Sequence, residues 1–437
     1  MSEPSEPADE RQVAAVAVPL LQGSAAQGAR LTDAAALVVD YADSLIVGTV
    51  RDVHQRIARR VFTPTRALVG RMPERIHDAV AATAYAGLST TATASATALR
   101  ALSRHGVGRR TEATPAGRRL ISGVNGLVGA DLLERDDPAA ITMAVRREHA
   151  DVGLDAASLA AAYPMATGSV VVFLHGLGEN DESWRLRADQ PHGTYDDAVR
   201  RVGWTPVQVR YNTGRHVSDN GADLSALITD LVGSWPVEAR RIAFVGHSMG
   251  GLVARAATNH AVATEAGWTA SVTHVVCLGT PHLGAALEKV VHLGARAFTL
   301  LPEAAPFGRI LDVRSPGIVD LRHGYVSQAE WQDQDLTATW GRTRLAVASL
   351  PHADYHFVAA TLGSSPRHVA ARLFGDLLVR YPSAVGHGLR GEPVVAQAIV
   401  DYLPATDHFA LLNHPTVAGW LATWLAPPSP PDRSPTL

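Results

Sequence analysis

One stretch, residues 241–255, limits what this chain can fold into. The apolar run Ile242-Ala243-Phe244-Val245 leads into Gly246-His247-Ser248-Met249-Gly250-Gly251 and then into Leu252-Val253-Ala254-Arg255. That order reads as a strand, a sharp turn and a helix, with Ser248 at the turn. A serine forced onto so tight a turn needs neighbours two residues away on each side that lack a Cβ, and Gly246 and Gly250 supply them. The spacing alone is a weak signal. It gains meaning when an apolar strand precedes it, a small-residue helix follows, and a base, an acid and backbone donors stand elsewhere in the chain.

The surrounding sequence supplies the frame. From Gly168 the texture alternates between strands and helices, and Ser169-Val170-Val171-Val172-Phe173-Leu174 is the continuous apolar run of a strand covered on both faces of a parallel sheet. It ends in His175-Gly176-Leu177-Gly178. A helical piece at 196–202, a strand at 206–211 and a helix at 220–235 follow, the last with Leu224, Leu227, Ile228, Leu231 and Val232 on one face. After the serine turn comes a strand at 271–278, closed by Gly279-Thr280-Pro281-His282-Leu283-Gly284. This alternation predicts an α/β fold with an open, mostly parallel sheet, right-handed crossovers and ligands beyond the strand C-termini. Ser248, His175-Gly176 and Thr280-Pro281 fall at that one edge. The sheet is expected to resume at 344–349 or 356–361, and again at 394–400. A final helix at 415–425 has Val417, Trp420, Leu421, Trp424 and Leu425 on one face.

With 437 residues, 46% of them hydrophobic, the chain exceeds one average domain. The expected organisation is a leader over 1–30, a helical N-terminal region over 31–163, the α/β unit over 164–426 and a Pro-rich disordered tail over 427–437. An insertion at 285–341 breaks the rhythm. Leu287, Val290, Val291, Phe298 and Leu301 give it an apolar helix face, so it can act as a lid or pack as a structural excursion. In the N-terminal region, helices are expected at 31–62, 73–102 and 116–133. Arg51, Arg56, Arg59 and Arg60 cluster near the end of the first, either in water or against a membrane surface. Residues 79–99 are uncharged and long enough to cross a bilayer, but so rich in Ala, Thr and Ser that a buried helix is expected instead.

The net charge of −3 provides no global field for nucleic acid or an anionic membrane, and peripheral membrane contact stays open. Residues 1–12 carry no basic segment followed by a long apolar one, so no secretory signal is expected and the cytoplasm is the expected compartment. The single cysteine, Cys277, excludes an intrachain disulfide framework and reads as a small core residue.

A serine hydroxyl attacks at neutral pH only with a base in reach and a carboxylate to orient that base. On a strand-turn-helix of this kind the chain order is serine, acid, histidine. Beyond the last expected strand stand His408, in Asp407-His408-Phe409, and His414, just before Pro415. His414 reads as a loop or capping residue, so His408 is the candidate base. For the acid, Asp376 in Gly375-Asp376-Leu377-Leu378-Val379 follows the penultimate strand, with Asp320 and Asp407 as competitors. The oxyanion of an acyl-transfer intermediate needs backbone N–H donors, expected from Met249 at the helix N-terminus and from Leu177. His175 has no second metal ligand at suitable spacing, so neither metal nor cofactor is expected.

With Leu174-His175-Gly176-Leu177, Gly246-His247-Ser248-Met249-Gly250-Gly251 and Gly279-Thr280-Pro281-His282-Leu283-Gly284 in order, residues 170–425 resemble the lipase branch of the α/β-hydrolase superfamily. The likeness is to bacterial triacylglycerol lipases and to the lipase-like domain of glycosylphosphatidylinositol inositol-deacylases. In such proteins an Asp-x-Leu-Val segment followed by a short Ser-containing turn carries the acid. Asp376-Leu377-Leu378-Val379 followed by Ser383 is similar, with Leu377 where Gly is usual. His408 matches the base in its loop ahead of the terminal helix. The resemblance implies a serine hydrolase acting on small-molecule or lipid esters, with Ser248, Asp376 and His408 as its triad. An acyltransferase or thioesterase would use the same residues, and a non-catalytic interaction protein would need none of them.

Overall fold

The computed structural model describes residues 29–43, 58, 62, 72–285, 315–332, 347–387 and 392–427. One eight-stranded sheet organises it. Its strands are β1 (Ala144–Arg147), β2 (Ala150–Val152), β3 (Ser169–Leu174), β4 (Thr205–Arg210), β5 (Arg241–His247), β6 (Val272–Leu278), β7 (Asp354–Ala360) and β8 (Ile399–Leu403). They lie in the order β2-β1-β4-β3-β5-β6-β7-β8. From β4 to β8 every pairing is parallel, while β1 runs antiparallel to both its neighbours.

Side chains alternate across a strand, so a strand covered on both faces must be apolar at every position. Val170, Val172 and Leu174 of β3 join Ile242 and Phe244 of β5 in a core on one face. Val171, Phe173, Ala243 and Val245 point into a second core on the other face. The helices that follow the strands cover both. Tyr195–Arg201 and Pro415–Trp424 pack on the second face. Val217–Ser234 and Met249–Ala263 pack on the first, with Leu224, Leu227, Ile228 and Leu231 buried. Cys277 lies in that first core, and burial pushes its thiol up to about 12. The final helix buries Val417, Leu421 and Leu425 and keeps Trp420 and Trp424 partly covered.

The sheet begins earlier than the apolar pattern suggests. β1 and β2 lie inside the span read as a helical N-terminal region, because four residues reading Ala-Val-Arg-Arg carry no recognisable alternation. Their link, Glu148-His149, has positive φ at both positions (50 and 70), the backbone of a tight two-residue hairpin turn. The ion pairs that hold this edge are equally invisible in the sequence. Arg146 of β1 reaches Glu112 at 3.0 Å and Asp181 at 3.3 Å, and also pairs with Asp151. At the other end of the sheet, β7 takes the second of the two expected positions, and β8 starts later than expected, at Ile399.

Helices α1 (Leu31–Ala42), α2 (Met72–Arg104) and α3 (Pro115–Glu134) precede the sheet. α3 starts at Thr114, whose side chain accepts from Gly117 N–H, with Pro115 in the first turn. The uncharged stretch 79–99 is helical as expected but not buried, because most of its positions are exposed. Its hydroxyls explain how it tolerates water on one side and helix on the other. Thr83, Thr90, Thr91 and Thr97 each donate to the carbonyl four residues earlier. Among the described residues no helix is long and apolar enough to cross a membrane.

The arginine cluster at 51–60, the apolar helix face of the insertion and most of the leader and tail lie outside the described residues. Of the insertion, 315–332 is described. Its helix α8 (Pro316–His323, counting Ala156–Ala162 as α4, Tyr195–Arg201 as α5, Val217–Ser234 as α6 and Met249–Ala263 as α7) sinks Ile318 and Leu321 into the first core.

Candidate active site

β5 delivers Ser248 to the sheet edge and α7 departs from it at once. Ser248 sits at φ 54, ψ −118, a conformation an L-residue occupies only under constraint. Its N–H donates to Leu278 O at 2.8 Å, which ties the turn to the end of β6. The glycines are required by contact. A Cβ on Gly246 would meet Gly251 N at 2.3 Å, and one on Gly250 would meet Leu174 O at 2.1 Å. Backbone fills both places. Ser248 itself is 8% exposed.

The candidate base and acid come together from two loops. Asp376 follows α9 (Val369–Phe374) and is fully buried. Its Oδ1 accepts from Leu378 N–H at 3.0 Å and Val379 N–H at 2.7 Å, and its Oδ2 lies 2.7 Å from His408 Nδ1. The backbones join as well, since His408 N–H donates to Asp376 O at 2.9 Å. With Nδ1 held by the carboxylate, Nε2 is the free end of the ring, and this buried atom has no hydrogen-bond partner among the described residues. The ring packs beside Gly279, next to the Leu278 carbonyl that holds Ser248. Leu377 adopts φ 92, a region that favours glycine.

The competitors have other partners. Both carboxylate oxygens of Asp320 lie against His216 Nδ1, at 3.1 and 3.0 Å, and Oδ2 accepts from Val217 N–H. Asp407 accepts from Ala410 N–H. His414 caps the final helix by accepting from Thr416 N–H.

The candidate donors come from the loop after β3, which carries Leu177, and from the start of α7, which carries Met249. Leu177 N–H makes no hydrogen bond found among the described residues, and Met249 N–H, first in its helix, has no intrahelical acceptor. His175 supports this loop from inside. Its Nδ1 faces Gly176 O at 3.0 Å, its Nε2 accepts from Tyr211 N–H at 3.3 Å, and its ring stacks on Tyr211 at 4.4 Å. That pattern fixes a neutral ring, in line with the downward push of burial on its pKa.

Two supports were not legible in the sequence. Helix α3 lies against the outside of the donor loop. A Cβ on Gly126 would meet Gly178 Cα at 3.2 Å; Asn180 donates to Ser122 at 3.3 Å; Arg118 Nε donates to Glu182 at 2.7 Å. On the inside, Glu179 Oε2 accepts from Gly176 N–H at 2.8 Å and stands 3.2 Å from His247 Nδ1. Nothing in the primary sequence marked Glu179, because its role depends on a residue across the sheet edge. Among the described residues no group of His, Cys, Asp and Glu could hold a metal ion.

The strand order and the strand-serine-helix turn define an α/β-hydrolase fold. Within it, residues 166–304 match the family model described as "Putative serine esterase (DUF676)". The match covers the donor loop, the serine turn and the Thr280-Pro281 loop, stops before Asp376 and His408, and supports a hydrolase acting on esters. No curated protein matches the chain. Among solved structures, the mature Bacillus licheniformis lipase is similar at 18% identity, covering 59% of this chain and 92% of that one, with a TM-score of 0.39. An esterase from Pyrococcus furiosus is similar at 16% identity, covering 59% and 81%, with a TM-score of 0.36. A thermophilic esterase from Thermogutta terrifontis is similar at 15% identity, covering 60% and 90%, with a TM-score of 0.31.

Proposed function

We propose that the protein is a serine hydrolase that cleaves carboxylic esters through an acyl-enzyme. One observation carries the proposal: the buried His408 ring has Nδ1 held by Asp376 at 2.7 Å and Nε2 without a partner among the described residues, beside the constrained turn that presents Ser248. In the proposed mechanism Ser248 Oγ attacks the ester carbonyl while His408 Nε2 takes its proton. Asp376 keeps the other ring proton on Nδ1 and stabilises the imidazolium that forms. Negative charge on the carbonyl oxygen is met by the N–H groups of Leu177 and Met249. His408 then returns its proton to the leaving alcohol, and water repeats the sequence to release the acid.

Phe409, half-exposed and edge-on to the His408 ring at 5.7 Å, offers an apolar surface suited to an acyl or alkyl chain. The substrate proposed is therefore a small-molecule or lipid ester. A panel of esters from acetyl to long acyl chains, with Ser248→Ala as control, tests the reading. Hydrolysis by the wild type that is lost in Ser248→Ala is expected. No hydrolysis of any ester, or an unchanged rate in Ser248→Ala, would overturn it. Transfer of the acyl group to an added alcohol in preference to water would reassign the same residues to an acyltransferase.

A further inference from the structure

His247, the residue before the candidate nucleophile, has an acceptor at each ring nitrogen. Nδ1 lies 3.2 Å from Glu179 Oε2, and Nε2 lies 3.2 Å from the backbone carbonyl of His408. An ionised carboxylate and a carbonyl can only accept, so both ring nitrogens are placed to donate, the arrangement that suits an imidazolium. The ring is fully buried, and a buried charge needs its partner. Burial works to lower the pKa of His247, but the charge and hydrogen bond of Glu179, together with the His408 carbonyl and the Asp376 charge, outweigh it and hold it raised. Burial likewise works to raise Glu179, and the His247 charge, with the hydrogen bonds from His247 and Gly176, brings its carboxyl down to about 2.

The pair touches each part of the site. Glu179 belongs to the donor loop, and a Cβ on Gly176 would meet Glu179 Oε2 and His247 Nδ1, each at 3.2 Å. His247 ends β5, and its acceptor is the main chain of His408. The other titratable groups facing the pair are the His408 ring, 4.8 Å from the His247 ring between centroids, Asp376, whose charge favours the imidazolium, and His175 on the side of Glu179. Trp184 closes the remaining side with its edge, 6.5 Å away.

We propose that Glu179 is a positioning residue, and that the Glu179–His247 ion pair is a charged clasp holding the donor loop, the serine strand and the base loop in one geometry. The inference rests on the ester-hydrolase reading for its consequence, though not for its existence. Its sign with pH follows from His247. A histidine whose folded pKa is raised contributes fully below its unfolded value and loses that contribution as pH rises through the folded one. The carboxylate of Glu179, by contrast, stays ionised down to about 2. The clasp therefore opens on the alkaline side. Glu179→Gln removes the charge that holds the second proton, so the opening moves to lower pH.

Two measurements on the whole chain test this. The first is the pH profile of kcat and KM on a soluble ester for the wild type, Glu179→Gln and Glu179→Asp. In Glu179→Gln, kcat at pH 8 should fall by about 10- to 100-fold, the scale of a site misplaced by up to about 1 Å. KM should change far less, and the alkaline limb should move down by about one pH unit. Glu179→Asp should recover part of both. The second is nitrogen NMR of the assigned His247 ring in the resting protein, which should hold its second proton to higher pH in the wild type than in Glu179→Gln. A wild-type profile and kcat in Glu179→Gln, or a His247 titration that Glu179→Gln leaves unchanged, would overturn the proposal. If Glu179→Gln does not fold, the wild-type titration decides, and a His247 ring that loses its second proton below pH 6 would overturn it. Should the wild type hydrolyse no ester, the catalytic reading fails while the ring titration still reports on the clasp.

Discussion

Replacing Asp376 by asparagine separates orientation of the base from stability of the loop. Asp376 is fully buried and accepts three side-chain hydrogen bonds, from Leu378 N–H, Val379 N–H and His408 Nδ1. Asparagine has the same shape, and its amide oxygen can keep the two backbone bonds at Oδ1. The amide NH2 group then occupies the place of Oδ2, 2.7 Å from His408 Nδ1. A ring nitrogen that faces a donor must accept, so the single proton of the neutral ring moves to Nε2, the atom that has to act as base. In triad hydrolases that change of tautomer lowers kcat by about 10⁴, and at 1.36 kcal/mol per tenfold the barrier rises by about 5 kcal/mol. Steady-state kinetics on a soluble ester, paired with a thermal melt, reads both sides. The expected result is a loss of about 10³ to 10⁴ in kcat, a KM within a few-fold of wild type and a melting temperature within a few degrees. A kcat within tenfold of wild type would refute the assignment of Asp376 as the orienting carboxylate.

Other perturbations reach the parts around the triad. Gly250→Ala places a Cβ 2.1 Å from the Leu174 carbonyl, where only backbone could yield, so a loss of about 1–3 kcal/mol in denaturant unfolding is expected along with the activity. Gly126→Val drives its branches into Gly178 and Thr213, already 3.2 and 3.3 Å from a Cβ; ester turnover should drop at least about tenfold, and an unchanged kcat would show that α3 does not brace the donor loop. Leu377→Gly releases a non-glycine residue from φ 92, worth about 1–2 kcal/mol, against about 0.5–1 kcal/mol of extra chain entropy in the unfolded state and about 1 kcal/mol for the half-buried side chain that is lost, so its melting temperature should stay within a few degrees of wild type rather than fall by the full cost of the truncation.

Much of the frame was readable because burial on both faces leaves an unmistakable pattern. β3 and β5 are apolar runs, and the glycines about Ser248 are required by close contacts. Leu377 was legible too, as a departure from the usual glycine, and its positive φ shows why glycine suits that position. What the sequence hid was long-range or polar. The β1–β2 hairpin is short and charged, held by Arg146 and its three carboxylates as well as by the single buried Val145, too little apolar sequence to show a period. The stretch 79–99 looked fit for burial because hydropathy does not register threonine hydroxyls satisfied within their own helix. Glu179 was missed for a different reason: its partner His247 is remote in sequence and meets it only once β3 and β5 pair.

The nucleophile itself can be tested without knowing the natural ester. A fluorophosphonate transfers its phosphonyl group to a serine oxygen activated by a neighbouring base, with loss of fluoride, so intact-mass and peptide analysis count and locate the adduct. One phosphonyl group per chain, on Ser248, is expected in the wild type and none in Ser248→Ala. A folded wild-type protein that takes up no label, or takes it up on another serine, would contradict the assignment of Ser248 as the nucleophile.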